Sequence, residues 1–409
     1  MEITGLGARG DGIGRVDGRP LFVPFAAPGD RLRVAIEGER DGGLVGRIRE
    51  RLEAGPERAT PPCPHFGDCG GCALQHLAPE AYVRWKQALV GEALARRGLT
   101  AEVESLRVLP PAGRRRAVFN VGRQGERLLL GFNAASSRRV VDLARCLVLD
   151  PRLFSLLASL RRTLAAVLSP RESADAAVTL TDSGVDLWLQ SRRPPGLAAR
   201  QALIDLAEAQ DLARIAVGPE AEPVILRRQP RAVFAGVAVA LPPGAFLQPS
   251  LAGERVLSEA VADALAGRKR VADLYAGCGT FTFALAANAK VHAVEGDGPA
   301  LAALADAARG LGRRVTVERR DLARAPLGAG ELDAFDGVVF DPPRAGAKEQ
   351  AVEIMRSRLD LVVAVSCHPG SFARDARILV DGGFRLERVM PVDQFPWSAH
   401  LELVGVFRR

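Results

Sequence analysis

The sequence predicts an α/β protein with a Rossmann-like C-terminal domain, preceded by a small β-barrel and a mixed α+β region. From about residue 250 onward, continuous apolar runs alternate with amphipathic helical segments, which is typical of a parallel, doubly wound sheet. Residues 1–57 instead alternate short apolar runs with glycine-rich turns, which indicates a small antiparallel barrel. The three expected domains are a barrel of residues 1–57, a central α+β domain of residues 58–240 that carries clustered cysteines, and a Rossmann-like domain of residues 241–409.

The individual elements follow from local signals. A proline-rich linker around Pro61 follows the barrel, and a helix is expected from Pro79 to about Arg97, because proline favours a first helical turn and Gly98 follows the last. This helix is able to pack on the C-terminal domain. In the central domain we expect strands 128–132 and 186–190 and helices near 153–168 and 198–210.

The C-terminal domain is expected to alternate strands with helices and to end in an antiparallel hairpin at the edge of its sheet. The expected helices are 252–266, 281–288, 299–309 and 371–381, the parallel strands are 270–275, 290–295, 314–318, 336–340 and 360–366, and the closing strands are 384–391 and 400–407.

The amino-acid composition indicates the cellular compartment and is compatible with a polyanionic partner. The formal net charge is +7, and only four of the 55 basic residues are lysines, a bias that can reflect genome composition as well as phosphate binding. No apolar run is long enough to span a membrane, and the N-terminus does not resemble a signal peptide. We therefore expect a cytoplasmic protein without a membrane partner, in which clustered cysteines serve a metal or catalysis rather than disulfides.

The first three clustered cysteines, Cys63, Cys69 and Cys72, have C-x5-C-x2-C spacing, and Cys146 is a candidate fourth ligand. Four thiolates suit either a structural zinc ion or an iron–sulfur centre, and the spacing does not distinguish the two.

Polar residues at the ends of successive predicted strands indicate a nucleotide-type cofactor site. Gly277 and Gly279 allow the backbone to approach a ligand, and Glu295, 18 residues after Gly277, is placed to accept both hydroxyls of a ribose. Asp321 follows the third strand at a place suited to an adenine edge. The third glycine of the dinucleotide fingerprint is missing, which favours S-adenosylmethionine over NAD.

Three further residues at this edge carry the chemistry. Asp341 is held at the rim of the pocket by the two prolines that follow it. Cys367 lies between a strand and a helix, whose N-terminal amides would favour the reactive thiolate. Glu402 stands in an apolar and aromatic stretch, where its pKa would be raised and proton abstraction favoured.

Three motifs together resemble the S-adenosylmethionine-dependent RNA uracil-C5 methyltransferase family. They are Asp341-Pro-Pro-Arg, Ser366-Cys367-x-Pro369 and Asp393-x-Phe-Pro-x-x-x-His400-x-Glu402. The resemblance extends over nearly the whole chain, with a TRAM-like barrel at residues 1–57, and is greatest to the iron–sulfur branch of the family, whose members mostly act on 23S rRNA.

The resemblance implies that Cys367 adds to C6 of a uridine in RNA and that Glu402 removes the proton from C5. It implies cofactor contacts by Gln248, Tyr275, Glu295 and Asp341, with Thr280 and Asp321 as further candidates, and a [4Fe-4S] cluster held by Cys63, Cys69, Cys72 and Cys146. The implied substrate is 23S rRNA, with transfer RNA as the alternative, and a monomer is the expectation.

Some residues depart from the family pattern, and the sequence leaves other functions as alternatives. His368 replaces the usual asparagine, and Pro249 and Ser250 replace the usual residues after the glutamine. Cytosine-C5 enzymes would have a cysteine after the fourth strand, and adenine-N6 enzymes an aromatic residue where Arg344 stands. A non-catalytic RNA-binding iron–sulfur protein is a further alternative, and the presence of both Cys367 and Glu402 argues against it.

Overall fold

The computed structural model describes residues 1–124, 126–169 and 172–409, and in these residues the strands form three sheets and one separate hairpin. The expected architecture of barrel, mixed α+β region and Rossmann-like domain is confirmed. Within the described ranges, no helix is both long enough and apolar enough to cross a membrane.

The N-terminal barrel is a five-stranded sheet in the order β1-β2-β3-β5-β4. Its strands are β1 (Gly5–Leu6), β2 (Gly12–Val16), β3 (Arg19–Val23), β4 (Arg31–Arg40) and β5 (Gly43–Glu53). Asp30 is fully buried, accepts hydrogen bonds from the amides of Ala27 (2.7 Å) and Gly55 (2.9 Å), and pairs with Arg58. Because a buried carboxylate needs such partners, this cluster fixes the exit of the chain from the barrel.

The central region is built on a seven-stranded sheet in the order β10-β9-β8-β11-β12-β13-β14. Its elements are β8 (Arg116–Gln124), β9 (Arg127–Asn133), β10 (Val140–Asp142), α2 (Pro151–Val167), β11 (Ser173–Thr181), β12 (Gly184–Ser191), α3 (Leu197–Ala209), β13 (Arg214–Val217) and β14 (Glu222–Leu226). Leucines of α2 and α3 pack on the sheet, which gives this region its own apolar core.

The C-terminal sheet has the strand order β19-β18-β17-β20-β21-β23-β22, and its first five strands are parallel. Its elements are α4 (Leu251–Ala264), β17 (Arg270–Leu274), α5 (Thr280–Ala286), β18 (Lys290–Glu295), α6 (Gly298–Ala308), a 3-10 helix (Arg309–Arg314), β19 (Val315–Arg319), α7 (Ala329–Leu332), β20 (Gly337–Phe340), α8 (Lys348–Arg356), β21 (Leu361–Ser366), α9 (Pro369–Asp381), β22 (Arg385–Asp393) and β23 (Glu402–Arg408). The strand order reverses between β17 and β20, so a ligand site is expected at the carboxyl ends of these strands.

Three segments that precede residue 240 pack on the C-terminal sheet. Helix α1 (Pro79–Ala95) lies against α9, and the short strands β6 (Glu102–Val103) and β7 (Arg107–Val108) pair in parallel with β22. The hairpin of β15 (Arg231–Phe234) and β16 (Val237–Ala240) contributes apolar residues to one apolar cluster of the C-terminal domain, and α1 contributes to another. The domain boundaries proposed from the sequence stay predictions.

The closing strands differ from the expected edge hairpin. Strand β23 lies inside the sheet and pairs with both β21 and β22. The outer side of β22 is covered by β6 and β7. Covering this side satisfies backbone groups that an edge strand would expose.

Candidate active site

A glycine loop joins β17 to α5 at the carboxyl edge of the sheet. Gly277 and Gly279 have positive φ angles of 55° and 102°, and a Cβ atom on Gly279 would lie 2.4 Å from the ring of Phe283. The amide of Gly277 donates to Oε2 of Glu295 (2.9 Å), whose Oε1 accepts from the amide of Asp297 (2.7 Å). The loop therefore requires glycine and fixes the Glu295 carboxylate beside it.

The other predicted cofactor residues of this edge form fewer hydrogen bonds with the glycine loop and with Glu295. Tyr275 is half-buried, and burial raises the pKa of its hydroxyl to about 12. Thr280 begins α5, and Asp321 is exposed after β19. Within the described ranges, neither the Thr280 nor the Asp321 side chain forms a hydrogen bond with another predicted cofactor residue.

Gln248 and Asp341, far apart in sequence, meet at this edge. Nε2 of Gln248 donates to Oδ2 of Asp341 (3.2 Å), and Oε1 of Gln248 accepts from Nε2 of Gln394 (2.8 Å). Gln394 was missed at the sequence level because it occupies an unspecified position of the closing motif. Gln394 therefore holds the Gln248 amide in the orientation that donates to Asp341.

A buried arginine holds the backbone at Gln248 and at the residue that follows it. Nε of Arg115 donates to the Gln248 carbonyl (3.0 Å), its backbone amide donates to the Pro249 carbonyl (2.9 Å), and its guanidinium pairs with Glu254. Ser250 caps α4 by accepting a hydrogen bond from the amide of Gly253 (3.0 Å). Pro249 and Ser250 thus have structural roles next to Gln248, and Arg115 is a further residue that sequence reasoning missed.

Three carboxyl groups near this edge, Asp273, Asp341 and Glu402, have no basic partner among the residues described. Burial raises the pKa of all three, and their mutual repulsion adds to the effect for Asp273 and Glu402. Asp273 accepts from Oγ1 of Thr282 (2.6 Å), while its Oδ1 has no hydrogen-bond partner. A cation bound here would relieve this excess of negative charge, so these residues fit S-adenosylmethionine, which carries a sulfonium and an ammonium group.

The surroundings of Cys367 raise the pKa of its thiol and so favour the protonated form. Burial raises its pKa to about 11, the charges of Glu402 and Asp341 contribute, and Arg344 acts in the opposite direction. The N-terminal amides of α9 were expected to favour the thiolate, but in the protein alone desolvation and two carboxylates shift the pKa in the opposite direction. His368 caps α9 instead, since its Nδ1 accepts from the amide of Ser371 (3.1 Å).

Glu402 begins β23 and is buried, with 5% of its surface exposed. Burial and repulsion by Asp341 raise its pKa, as expected from the sequence, and the Gln394 side chain partly opposes this shift. From their spacing of two residues, His400 and Glu402 were expected to share one face of the last strand. Instead, His400 lies before the strand and is exposed. A buried carboxyl group of raised pKa is suited to accept a proton during a reaction.

Cys367 faces two cavities. The first has a volume of about 580 Å³ and is lined by Cys63, Cys69, Cys72, Cys146, Arg344, Cys367 and His400 together with apolar side chains. The second, of about 540 Å³, shares Arg344, Cys367 and His400 with the first and is also lined by Arg9, Arg96 and Arg97. The thiol is thus reached from both sides, between the central region and the barrel.

The four clustered cysteines lie close to one another, although Cys146 is far along the chain. Burial raises the pKa of Cys69, Cys72 and Cys146, that of Cys72 to about 12, and repulsion between the thiols contributes. The amide of Ala144 donates to Nε2 of His65 (2.9 Å), which ties the two cysteine-bearing loops together. In the described part of the chain, no three Cys, His, Asp or Glu side chains form a group that could hold a metal ion.

Comparisons with known proteins place the chain in a family. Residues 2–48 match the TRAM domain model, and residues 316–409 match the family model described as tRNA (Uracil-5-)-methyltransferase. An uncharacterised RNA methyltransferase of Mesorhizobium japonicum is 44% identical, over 99% of this chain and 97% of that protein. A 23S rRNA (uracil(1939)-C(5))-methyltransferase of Chromohalobacter salexigens is 38% identical, over 100% of this chain and 89% of that protein.

The crystal structure of Pyrococcus abyssi tRNA (uracil-54, C5)-methyltransferase with S-adenosyl-L-homocysteine superimposes with a TM-score of 0.75, covering 100% of this chain and 99% of that one. Its sequence identity is 20%, so this likeness concerns the fold: a class I methyltransferase domain behind an N-terminal TRAM domain. With relatives that are 44% and 38% identical over the whole chain, the protein belongs to the family of S-adenosylmethionine-dependent RNA uracil-C5 methyltransferases.

Proposed function

We propose that the enzyme methylates C5 of one specific uridine in 23S rRNA through a covalent bond between Cys367 and C6 of the uracil. The observation that carries this proposal is the shared environment of Cys367, Glu402 and Asp341, whose charges act on one another beside a cavity large enough for a base. A uridine must leave its stack to enter such a cavity.

The proposed reaction begins at Cys367, because C5 of uracil is a poor nucleophile. The Cys367 thiol gives its proton to water in the cavity, and its Sγ adds to C6 while the electron pair of the C5–C6 double bond moves toward O4. C5 of the resulting enolate then has the electrons to bond with an electrophilic methyl group, which S-adenosylmethionine supplies when bound. Gln248 and Asp341 are proposed to orient the reactants at this step.

Glu402 is proposed to complete the reaction. Its carboxylate removes the remaining hydrogen of C5 as a proton, and the electron pair of the broken C–H bond restores the C5–C6 double bond. The bond between C6 and Sγ breaks, with its electrons returning to Cys367 as a thiolate. A raised pKa makes the buried carboxylate a stronger base for this step than an exposed one.

The choice of RNA rests on the relatives. The Chromohalobacter salexigens protein, named as a 23S rRNA methyltransferase, is similar over the whole chain, which supports 23S rRNA here. The structural neighbour named as acting on tRNA supports only the fold at 20% identity, so transfer RNA is the second candidate.

We further propose that Cys63, Cys69, Cys72 and Cys146 hold a [4Fe-4S] cluster. Their thiols line one cavity, and four thiols are a donor set that suits such a cluster or zinc. Metal binding would deprotonate the thiols and draw the two loops together, so the proposed role is structural. Iron, sulfide and zinc would be quantified in protein purified without oxygen, with Cys146→Ser as the variant and Cys278→Ser as the control; zinc alone, or no metal, would overturn the cluster.

The function is tested by methyl transfer from labelled S-adenosylmethionine to unmodified total RNA, followed by nucleoside analysis and fractionation of the RNA. Labelled 5-methyluridine in 23S rRNA is expected from the native protein, and none from Cys367→Ala. Glu402→Gln should stop the reaction after methylation and leave RNA attached to the protein on a denaturing gel. Label in another base, or activity that survives in Cys367→Ala, would overturn the proposal.

A further inference from the structure

A buried lysine joins helix α1 to residues 393–401, which we call the Glu402 loop. The ammonium group of Lys86 is fully buried and pairs with Asp393 at the start of the loop. Its Nζ also donates to the carbonyl oxygens of Phe395 (3.1 Å) and His400 (2.9 Å). Since an ammonium group has three donors, all of them are directed to this one loop.

A second set of contacts holds the middle of the Glu402 loop. Trp397 has a φ of 57°, a conformation that is strained for any residue other than glycine. Its amide donates to the Tyr82 hydroxyl (2.9 Å), which donates in turn to Oδ2 of Asp393 (2.6 Å). Its carbonyl accepts from the amides of Ala73 (2.8 Å) and Leu74 (3.1 Å), which directly follow Cys72.

These contacts fix the chain on both sides of Glu402. In the sheet, Glu402 pairs with Val392, and the next residue after Val392 is Asp393, which binds Lys86. The His400 carbonyl, which Lys86 also binds, lies two residues before Glu402. Lys86 therefore connects the two backbone segments that determine where the Glu402 carboxylate lies.

We propose that Lys86 is a positioning residue for the removal of the C5 proton, acting through the Glu402 loop. This inference rests on the proposed function. Among the described residues, Lys86 forms no hydrogen bond or ion pair with Cys367 or Asp341, so its loss should leave addition of Cys367 and methylation of C5 largely intact. The step that depends on the position of Glu402 should become slow.

The test compares Lys86→Met, Tyr82→Phe and Glu402→Gln. In Lys86→Met, kcat should fall by roughly 10- to 100-fold, since small misplacements of a catalytic group have effects of this size. KM for RNA should fall with kcat, because the slowed step follows the attachment of RNA to Cys367. The methylated RNA should remain attached to Cys367 and appear as a slower band on a denaturing gel, as in Glu402→Gln. Tyr82→Phe removes one hydroxyl only, and it should show the same accumulation to a smaller extent.

A matched control separates positioning from general loss of stability. Arg214→Met breaks another buried ion pair, in which Nε and Nη2 of Arg214 bond Asp186 (2.8 and 2.6 Å) in the central sheet. This variant should lose stability without accumulating the attached RNA. If Glu402→Gln accumulates the adduct and neither Lys86→Met nor Tyr82→Phe does, the role of Lys86 is wrong; if Glu402→Gln gives no adduct, the proposed mechanism itself is wrong.

Discussion

A cysteine attacks only as a thiolate, and the surroundings of Cys367 keep its thiolate fraction small. Burial, Glu402 and Asp341 raise the pKa of the thiol to about 11, and the nearby Arg344 only partly offsets them. The same carboxylates have no basic partner in the part of the chain that the structure describes. A cationic ligand among them would remove the repulsion that the thiol experiences, so binding of the methyl donor should itself activate the nucleophile.

We expect a cationic analogue to lower the pKa of Cys367 more than a neutral one does. Sinefungin has an ammonium group where S-adenosylmethionine has its sulfonium, whereas S-adenosylhomocysteine has a neutral thioether and is otherwise matched. Alkylation of the Cys367 peptide by iodoacetamide, followed by mass spectrometry against pH, should have its midpoint about one unit lower with sinefungin. Equal midpoints with the two ligands would show that the positive charge of the ligand does not change the pKa of the Cys367 thiol.

Between β17 and α5, a short loop depends on glycine for its shape and holds Glu295 by a backbone hydrogen bond. Gly279 has both a positive φ of 102° and a close neighbour in Phe283. Gly91 in α1 has neither, since it is helical, exposed and without any atom within 4 Å of an added Cβ. The same substitution should therefore have opposite effects in the two elements.

Gly279→Ala should lower the free energy of unfolding by about 2 to 4 kcal/mol, because backbone strain and a steric clash add together. It should also weaken binding of the methyl donor, since the loop positions Glu295. Gly91→Ala should raise the free energy of unfolding by about 0.5 to 1 kcal/mol, because alanine favours the helix. Urea unfolding measures the free energy of unfolding, and calorimetric titration with S-adenosylhomocysteine measures ligand binding. An unchanged free energy of unfolding in Gly279→Ala would contradict the strain argument.

In the molecule as a whole, the sequence predicted elements that have a local residue pattern and missed contacts between residues that are far apart in the chain. Buried parallel strands such as β21 are continuous apolar runs, so their positions along the chain were predictable. The two-residue strands β6 and β7 have no such pattern, and their pairing with β22 was not foreseen. The bond between Gln248 and Gln394 likewise joins residues 146 positions apart, with no local signal.

The two cavities at Cys367 suggest how RNA crosses the molecule, with the uridine in one and its flanking backbone in the other. The second cavity is lined by Arg9 of the barrel and by Arg97 just beyond α1. Arg9 is paired with the exposed Asp41 (3.4 Å), while in the described residues Arg97 has no ion pair, so both can turn to phosphates. Phosphate contacts of this kind position RNA without reading its sequence.

Arg97→Ala and Arg9→Ala should each weaken RNA binding and make it less sensitive to salt. Each lost phosphate contact on a single strand should reduce the slope of log Kd against log salt concentration by about 0.7. Arg314→Ala, an exposed arginine after α6, is the control and should leave the slope unchanged. Filter binding of an RNA fragment over a range of salt concentrations measures the slopes. If Arg97→Ala and Arg9→Ala have the same slope as the control, the RNA follows another path. If their slopes are reduced while 5-methyluridine formation at saturating RNA is unchanged, both arginines act in RNA binding and not in the chemical reaction.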